Sequence, residues 1–180
     1  MMNTPVRRAW ALSLLWITVI GLESFGGSVE NTGHLLYPLL KLLFPKISFL
    51  REFQIHYCLR KAGHFLGYCV LSLTLYRSWW VTFASRIALD RLSWRDMFRA
   101  WSWRAALLSL VGTLAVAGFD EWHQSLVPGR TASFLDVALD ELGGFLAQSV
   151  IVRISSVAIT RKIRQPKAEP PPLTSSSHNC

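Results

Sequence analysis

Asp120, Glu121, His123 and Gln124 close an apolar run that extends from Ala105 to Phe119. Val127-Pro128-Gly129-Arg130 follows, and a second apolar run opens at Phe134 with Asp136, Asp140 and Glu141 in its first turns. Lys61, His64 and Tyr68 stand at the head of a third. Carboxylates beside histidine are the parts of a proton-handling site, because an acid that orients an imidazole makes it a general base. In the Pro-Gly pair, Pro is pre-set for the first central position of a tight turn and Gly for a positive φ at the second. Such a turn brings Arg130 back over the helix ends, where a guanidinium grips a carboxylate or phosphate through two parallel hydrogen bonds.

Three chemistries are therefore open. One is recognition of an anion through Lys61, His64 and Arg130. Another is acid–base catalysis, with His64 or His123 as base and Asp120 or Glu121 orienting it. The third, transport with the carboxylates as proton sites, lacks the inverted repeat that transporter folds are built on. A purely structural reading stands beside them, in which the charges lock helices together and Asp136 completes a capping box with Ser133. The histidine spacing matches no metal motif such as His-Glu-x-x-His, and there is no glycine-rich phosphate loop after a strand. No metal and no cofactor is expected.

The elements that must carry these residues are apolar. Of 180 residues, 51% are hydrophobic and only 17% charged, a balance that favours a membrane protein. The formal charge of +8 comes from basic residues that flank apolar segments. Anionic lipid, rather than nucleic acid, is the partner this implies. A spanning helix needs about 20 mainly apolar residues. Val6–Gly21, Ala62–Trp80, Trp103–Trp122 and Phe134–Val152 meet or approach that length. The first resembles the apolar core of a signal peptide, but no small-x-small site follows, so it is read as a retained span. Between His34 and Leu50, Pro38, Lys41, Pro45 and Lys46 interrupt the leucines, which predicts a broken or interfacial helix, with a fifth span as the alternative. The expected fold is an all-α membrane protein, a four-helix transmembrane bundle with interfacial helices in its loops. One domain is expected over 6–155, then a basic and Pro/Ser-rich cytoplasmic tail, 156–180, too polar to bury a core.

Charge sets the orientation. With four spans, 13 Lys and Arg fall on one side and six on the other, which puts both termini in the cytoplasm and the Asp120–Asp140 cluster outside. On the cytoplasmic side, Arg91, Arg95 and Arg99 recur every four residues, opposite Trp94, Met97 and Trp101. That pattern predicts an amphipathic helix on anionic lipid, or else a solvated connector. Cys58 and Cys69 are roughly 16 Å apart along one helix, too far to bridge.

Helical periodicity then gathers the polar residues. Lys61, His64, Tyr68 and Ser72 share one face; so do Thr113, Ala117, Asp120 and Gln124; Asp136, Asp140, Gly143 or Gly144 and Ala147 form a third. All three stripes concentrate their charge at the same end, which predicts one shared pocket. Gly63 and Gly67 form a small-xxx-small pair beside the His64 face, a pattern that allows close helix approach.

Arg60-Lys61-Ala62-Gly63-His64-Phe65-Leu66-Gly67-Tyr68, then Asp120-Glu121-Trp122-His123-Gln124, Pro128-Gly129-Arg130, and Asp136 with Asp140 and Gly143, resembles the VanZ-like family in order and spacing. The resemblance spans Lys61 to Gly144 and leaves Glu23–Arg60 uncovered. One departure is an acid at Asp140, where many members carry Asn. The resemblance implies a bacterial, multi-pass protein of the cytoplasmic (inner) membrane, tied to the cell envelope and to low-level resistance to the glycopeptide teicoplanin; the family name supplies no mechanism. The expected function is binding of, or action on, an anionic envelope component at an outward-facing pocket. Its candidate residues are Lys61, His64, Tyr68, Asp120, Glu121, His123, Gln124, Arg130, Asp136 and Asp140. The alternative is a membrane enzyme acting on a lipid phosphate or acyl group.

Overall fold

The computed structural model describes residues 4–26, 29–85, 93–126 and 133–164, with backbone alone at 25–26, 29–35, 158–159 and 161–164. Among the described residues every regular element is a helix: α1 (Thr4–Gly26), α2 (Val29–Leu43), α3 (Phe49–Ala84), α4 (Trp94–Arg99), α5 (Trp103–Ser125) and α6 (Phe134–Arg164). The turn at Pro128-Gly129, Arg86 and Arg91 in the basic loop, and the tail from residue 165 lie outside the described residues.

α3 is the axis of the fold and packs against α1, α5 and α6, while α5 and α6 also pack on each other. It runs for 36 residues, about 54 Å, and so begins thirteen residues before the expected Ala62. α2 stops at Leu43, just before Pro45 sits in the connecting turn. The residue before a proline is steered away from helical geometry, which ends the helix there. At 15 residues, about 22 Å, α2 is shorter than the ~30 Å hydrocarbon core, which argues against a fifth span.

Two of the four expected spans are by length and composition apolar enough to cross a membrane: Thr4–Ser24 in α1 and Trp103–Ser125 in α5. The other two expected segments lie inside the unbroken α3 and α6, diluted by His64 and Arg77 in one and by Asp136, Asp140 and Glu141 in the other. Several polar residues of α3, α5 and α6 are turned inward. Ser72, Ser109, Thr113 and Gln148 are buried, whereas Leu14, Leu15, Val111, Phe119, Phe145 and Val150 are exposed. A soluble protein distributes these types the other way round.

Side-chain bonds fasten α1 to α3. Ser13 and Ser78 hydroxyls meet at 2.9 Å, Trp10 Nε1 donates to Thr82 Oγ1 at 3.1 Å, and Trp16 Nε1 donates to the Gly67 carbonyl at 2.8 Å. The basic loop is tied down too. The six-residue α4 starts at a capping box formed by Ser93 and Asp96. Met97 does not face lipid; it is fully buried among Tyr76, Trp80, Val81, Ala105 and Ile151. Trp80 Nε1 donates to the Ala100 carbonyl at 2.7 Å, and the Ser102 N–H donates to the Tyr76 hydroxyl at 2.9 Å. The Arg77 guanidinium lies 4.2 Å over the Trp94 ring. Part of the apolar face expected on lipid is thus used by the protein's own core, while Arg95 and Arg99 stay exposed.

Candidate functional site

The three polar faces meet. α3 contributes Lys61, whose ammonium pairs with the Asp136 carboxylate of α6. One turn along, His64 Nδ1 lies 3.8 Å from Asp140 Oδ2. A further turn along, the Tyr68 hydroxyl donates to Asp120 Oδ2 of α5 at 3.4 Å, and the His64 and Tyr68 rings stack at 6.4 Å. Gln124 Nε2 donates to the same Asp120 oxygen at 3.0 Å, while Arg60 Nη2 donates to Gln124 Oε1 at 3.4 Å. Lys61, His64, Tyr68, Asp120, Gln124, Asp136 and Asp140 therefore lie in one cluster shared by three helices.

Glu121 takes a different part. It accepts the Ser133 backbone N–H, which closes the gap between the end of α5 and the start of α6. This displaces the capping box expected between Ser133 and Asp136: the N–H that Asp136 would accept goes to Glu121, and the Asp136 carboxylate takes Lys61 instead. His123 is half-buried on the same turn of α5. Arg130 lies outside the described residues.

The close approach that lets His64 face Asp140 is made by Gly143. A β-carbon there would sit 2.5 Å from the Phe65 carbonyl oxygen and 3.4 Å from the Cys69 nitrogen. Gly63 and Gly67, the expected small pair, do not play this part. A β-carbon at Gly67 meets nothing within 4 Å, and one at Gly63 meets only Glu23 Oε1 at 3.9 Å.

Beneath the charged cluster lies a neutral polar knot. Gln148 Nε2 donates to Ser72 Oγ at 2.9 Å and to Ser109 Oγ at 2.8 Å, and Ser72 and Ser109 hydroxyls meet at 3.2 Å. The Ser72 hydroxyl also reaches the Gly144 carbonyl at 3.3 Å. Arg60, Ser109 and Gln148 were not singled out from the sequence as site residues. Gln148 carried a legible signal, since it extends the Asp136–Asp140–Gly144 stripe by one more step of four. Arg60 is masked by its neighbour Lys61, and Ser109 by its small size in an apolar helix.

Two properties limit what the cluster can do. Among the described residues, the carboxylates Asp120, Glu121, Asp136 and Asp140 outnumber the cations Arg60 and Lys61, so an anionic group can be held only at the cations and not over the carboxylates. Asp140 Oδ1 and Glu141 Oε2 are buried and have no hydrogen-bond partner among the described residues. A buried polar atom left unpaired is costly, so such atoms mark places where a donor belongs.

A family model described as VanZ/LLP1 matches residues 9–155, which contain every residue of the cluster. The chain belongs to the VanZ/LLP1 family. The match reaches well beyond Lys61–Gly144 and takes in α1, α2 and the first turns of α3. No curated protein and no solved structure matches the chain. Family membership and the two apolar helices together support a membrane protein.

Proposed function

We propose that this VanZ/LLP1 protein is a four-span protein of the bacterial cytoplasmic membrane that binds the head group of an anionic, hydroxyl-bearing envelope lipid at the α3–α5–α6 cluster. The observation that carries the reading is Asp140 Oδ1, a buried carboxylate oxygen of the cluster with no hydrogen-bond partner among the described residues. A buried carboxylate acceptor left open beside a histidine and a lysine is a place for a ligand's donor. Lys61 and His64 already face carboxylates, so in this reading Arg60 takes the anionic group, Arg130 of the α5–α6 connection is the second cation by its place in the sequence, and Asp140 takes a ligand's hydroxyl. α1, α3, α5 and α6 are the spans, with both termini cytoplasmic, as the split of basic residues supports. Exposed Arg95 and Arg99 of α4 then face the anionic inner leaflet.

The experiment compares activity with abundance. Glycopeptide tolerance, or binding of a lipid-linked sugar phosphate, is normalised to protein in the membrane. Arg130→Lys is expected to lose activity at normal abundance, because a point charge does not replace a bidentate fork. Full activity in that variant removes the arginine from the proposal. Orientation is read by cysteine labelling in sealed cells: a Cys placed at 129 reacts with an impermeant reagent and Cys180 does not.

A second reading rests on His64 and Asp140, 3.8 Å apart. Tightened on ligand binding, such a pair acts as a general base on a lipid phosphate or acyl group. Turnover by purified protein that is abolished in His64→Ala, with binding retained, supports the enzyme; binding without turnover supports the receptor.

A further inference from the structure

The corner between α2 and α3 carries a feature the charged cluster does not use. A groove of about 610 Å³ opens there, lined by Leu43, Phe44, Ile47 and Ile55, with Lys46 and Arg51 as its charged lining residues and no carboxylate among them. That volume falls within the ~300–1,000 Å³ of small-molecule sites. Around it Leu42 and Phe49 are 77% and 76% exposed, and Leu39, Leu50 and Phe53 are exposed as well. An apolar corner of this extent, set with cations, fits a ligand that is apolar along its length and anionic at one end.

We propose that the α2–α3 corner is a binding site for an anionic phospholipid, with one acyl chain in the Leu43–Ile55 groove and the phosphate between Lys46 and Arg51. Charge decides against a second copy of the chain. A twofold contact through this face would set Lys41, Lys46 and Arg51 against the same residues of the partner, since a self-complementary interface repeats one patch on both sides. A phospholipid supplies the apolar and the anionic part in one molecule, which matches an apolar groove with two cations in its lining. The site stands apart from the α3–α5–α6 cluster: Arg51 is ten residues, about 15 Å of helix, from Lys61.

The test uses the full chain in a non-ionic detergent, with dioleoyl phosphatidylglycerol and dioleoyl phosphatidylcholine as probes and native mass spectrometry to count bound lipid. Phosphatidylglycerol is expected to bind at roughly thirtyfold lower concentration, the scale two near-surface cations supply. Lys46→Gln with Arg51→Gln should erase that preference without altering phosphatidylcholine uptake. Ile55→Trp, which fills the groove, should lower the occupancy of both lipids. Rising salt should weaken phosphatidylglycerol alone, and this reading needs no variant to fold. Equal retention of the two lipids in wild type overturns the proposal, as does a preference that survives the double substitution, which would mark annular lipid or the α4 arginines. Displacement of the bound lipid by millimolar inorganic phosphate would overturn the acyl-chain half of the site.

Discussion

Gly143 of α6 faces the backbone carbonyl of Phe65 in α3 so closely that a β-carbon on it would lie 2.5 Å from that oxygen. The contact sits one turn beyond the level at which His64 faces Asp140, so it fixes how near the two charged faces can come. Gly143→Ala therefore has to push the helices apart. Overpacking of this kind costs about 1–3 kcal/mol, against which alanine returns up to about 1 kcal/mol of helix propensity. Gly143→Ala is expected to lower the melting temperature of the detergent-solubilised protein. Gly67→Ala, with nothing within 4 Å, should be neutral or stabilising. Equal effects at the two positions would refute the assignment of the close contact.

The loop before α5 should respond to pH. The Ser93 hydroxyl and N–H both donate to Asp96 Oδ2, at 2.6 and 3.0 Å, and hold its carboxyl below the usual carboxylate range. A depressed folded value means that the cap contributes above the ordinary range and is lost as pH falls through the depressed value. The protection of residues 94–100 against hydrogen exchange, taken relative to the intrinsic exchange rate at each pH, should therefore fall on acidification. In Asp96→Asn that protection should be low already and insensitive to pH in that window.

How much of this was legible follows from what periodicity can and cannot carry. The starts of α5 at Trp103 and α6 at Phe134 were readable to the residue, because polar stretches with Ser102 or Ser133 adjoin long apolar runs. The faces Lys61–Ser72 and Thr113–Gln124 followed from the helical repeat. The first turns of α3 did not. Phe49–Arg60 shows no apolar stripe, and its buried residues, Glu52 and His56, are covered by tertiary contacts such as the His56 ring against Tyr37 at 5.9 Å. Pairing was also hidden. Which carboxylate Lys61 takes, and whether Ser133 caps toward Asp136 or Glu121, depends on the relative rotation of three helices. The choice between Gly143 and Gly67 as the contact glycine depends on the same rotation.

The neutral knot at Gln148 gives a prediction of sign and size. Hydrogen bonds between helices in a membrane are worth about 0.6 kcal/mol each, and Gln148 Oε1 is buried with no partner among the described residues. Replacing the side chain by an apolar one of similar size loses the bonds to Ser72 and Ser109 but also removes the orphaned oxygen. Gln148→Leu is thus expected to cost about 1 kcal/mol or less. Gln148→Ala should cost more, about 2 kcal/mol or above, because it leaves a cavity. Reversible unfolding in mixed micelles measures both. A Leu variant as damaged as the Ala variant would mean that the polar contacts, not the filling of space, hold the three helices together.

The Lys61–Asp136 pair separates a structural cluster from a functional one. Both side chains are about a quarter exposed. Breaking the pair should cost more than the ~0–1 kcal/mol of exposed pairs and less than the ~3–5 kcal/mol of fully buried ones. Lys61→Met and Asp136→Leu should each lower abundance in the membrane. The reversed pair, Lys61→Asp with Asp136→Lys, restores opposite charges at the same two positions and should recover part of that abundance. Activity per protein is the deciding quantity. If the cluster only holds helices, the reversed pair recovers activity in step with abundance. If it binds a ligand, the reversal moves the cation from α3 to α6 while Arg60, His64, Asp120 and Asp140 stay in place. The ligand's donors and anionic group then meet the wrong partners, and activity per protein should remain low even where abundance returns. Recovery of both together would leave the pair a helix lock and nothing more.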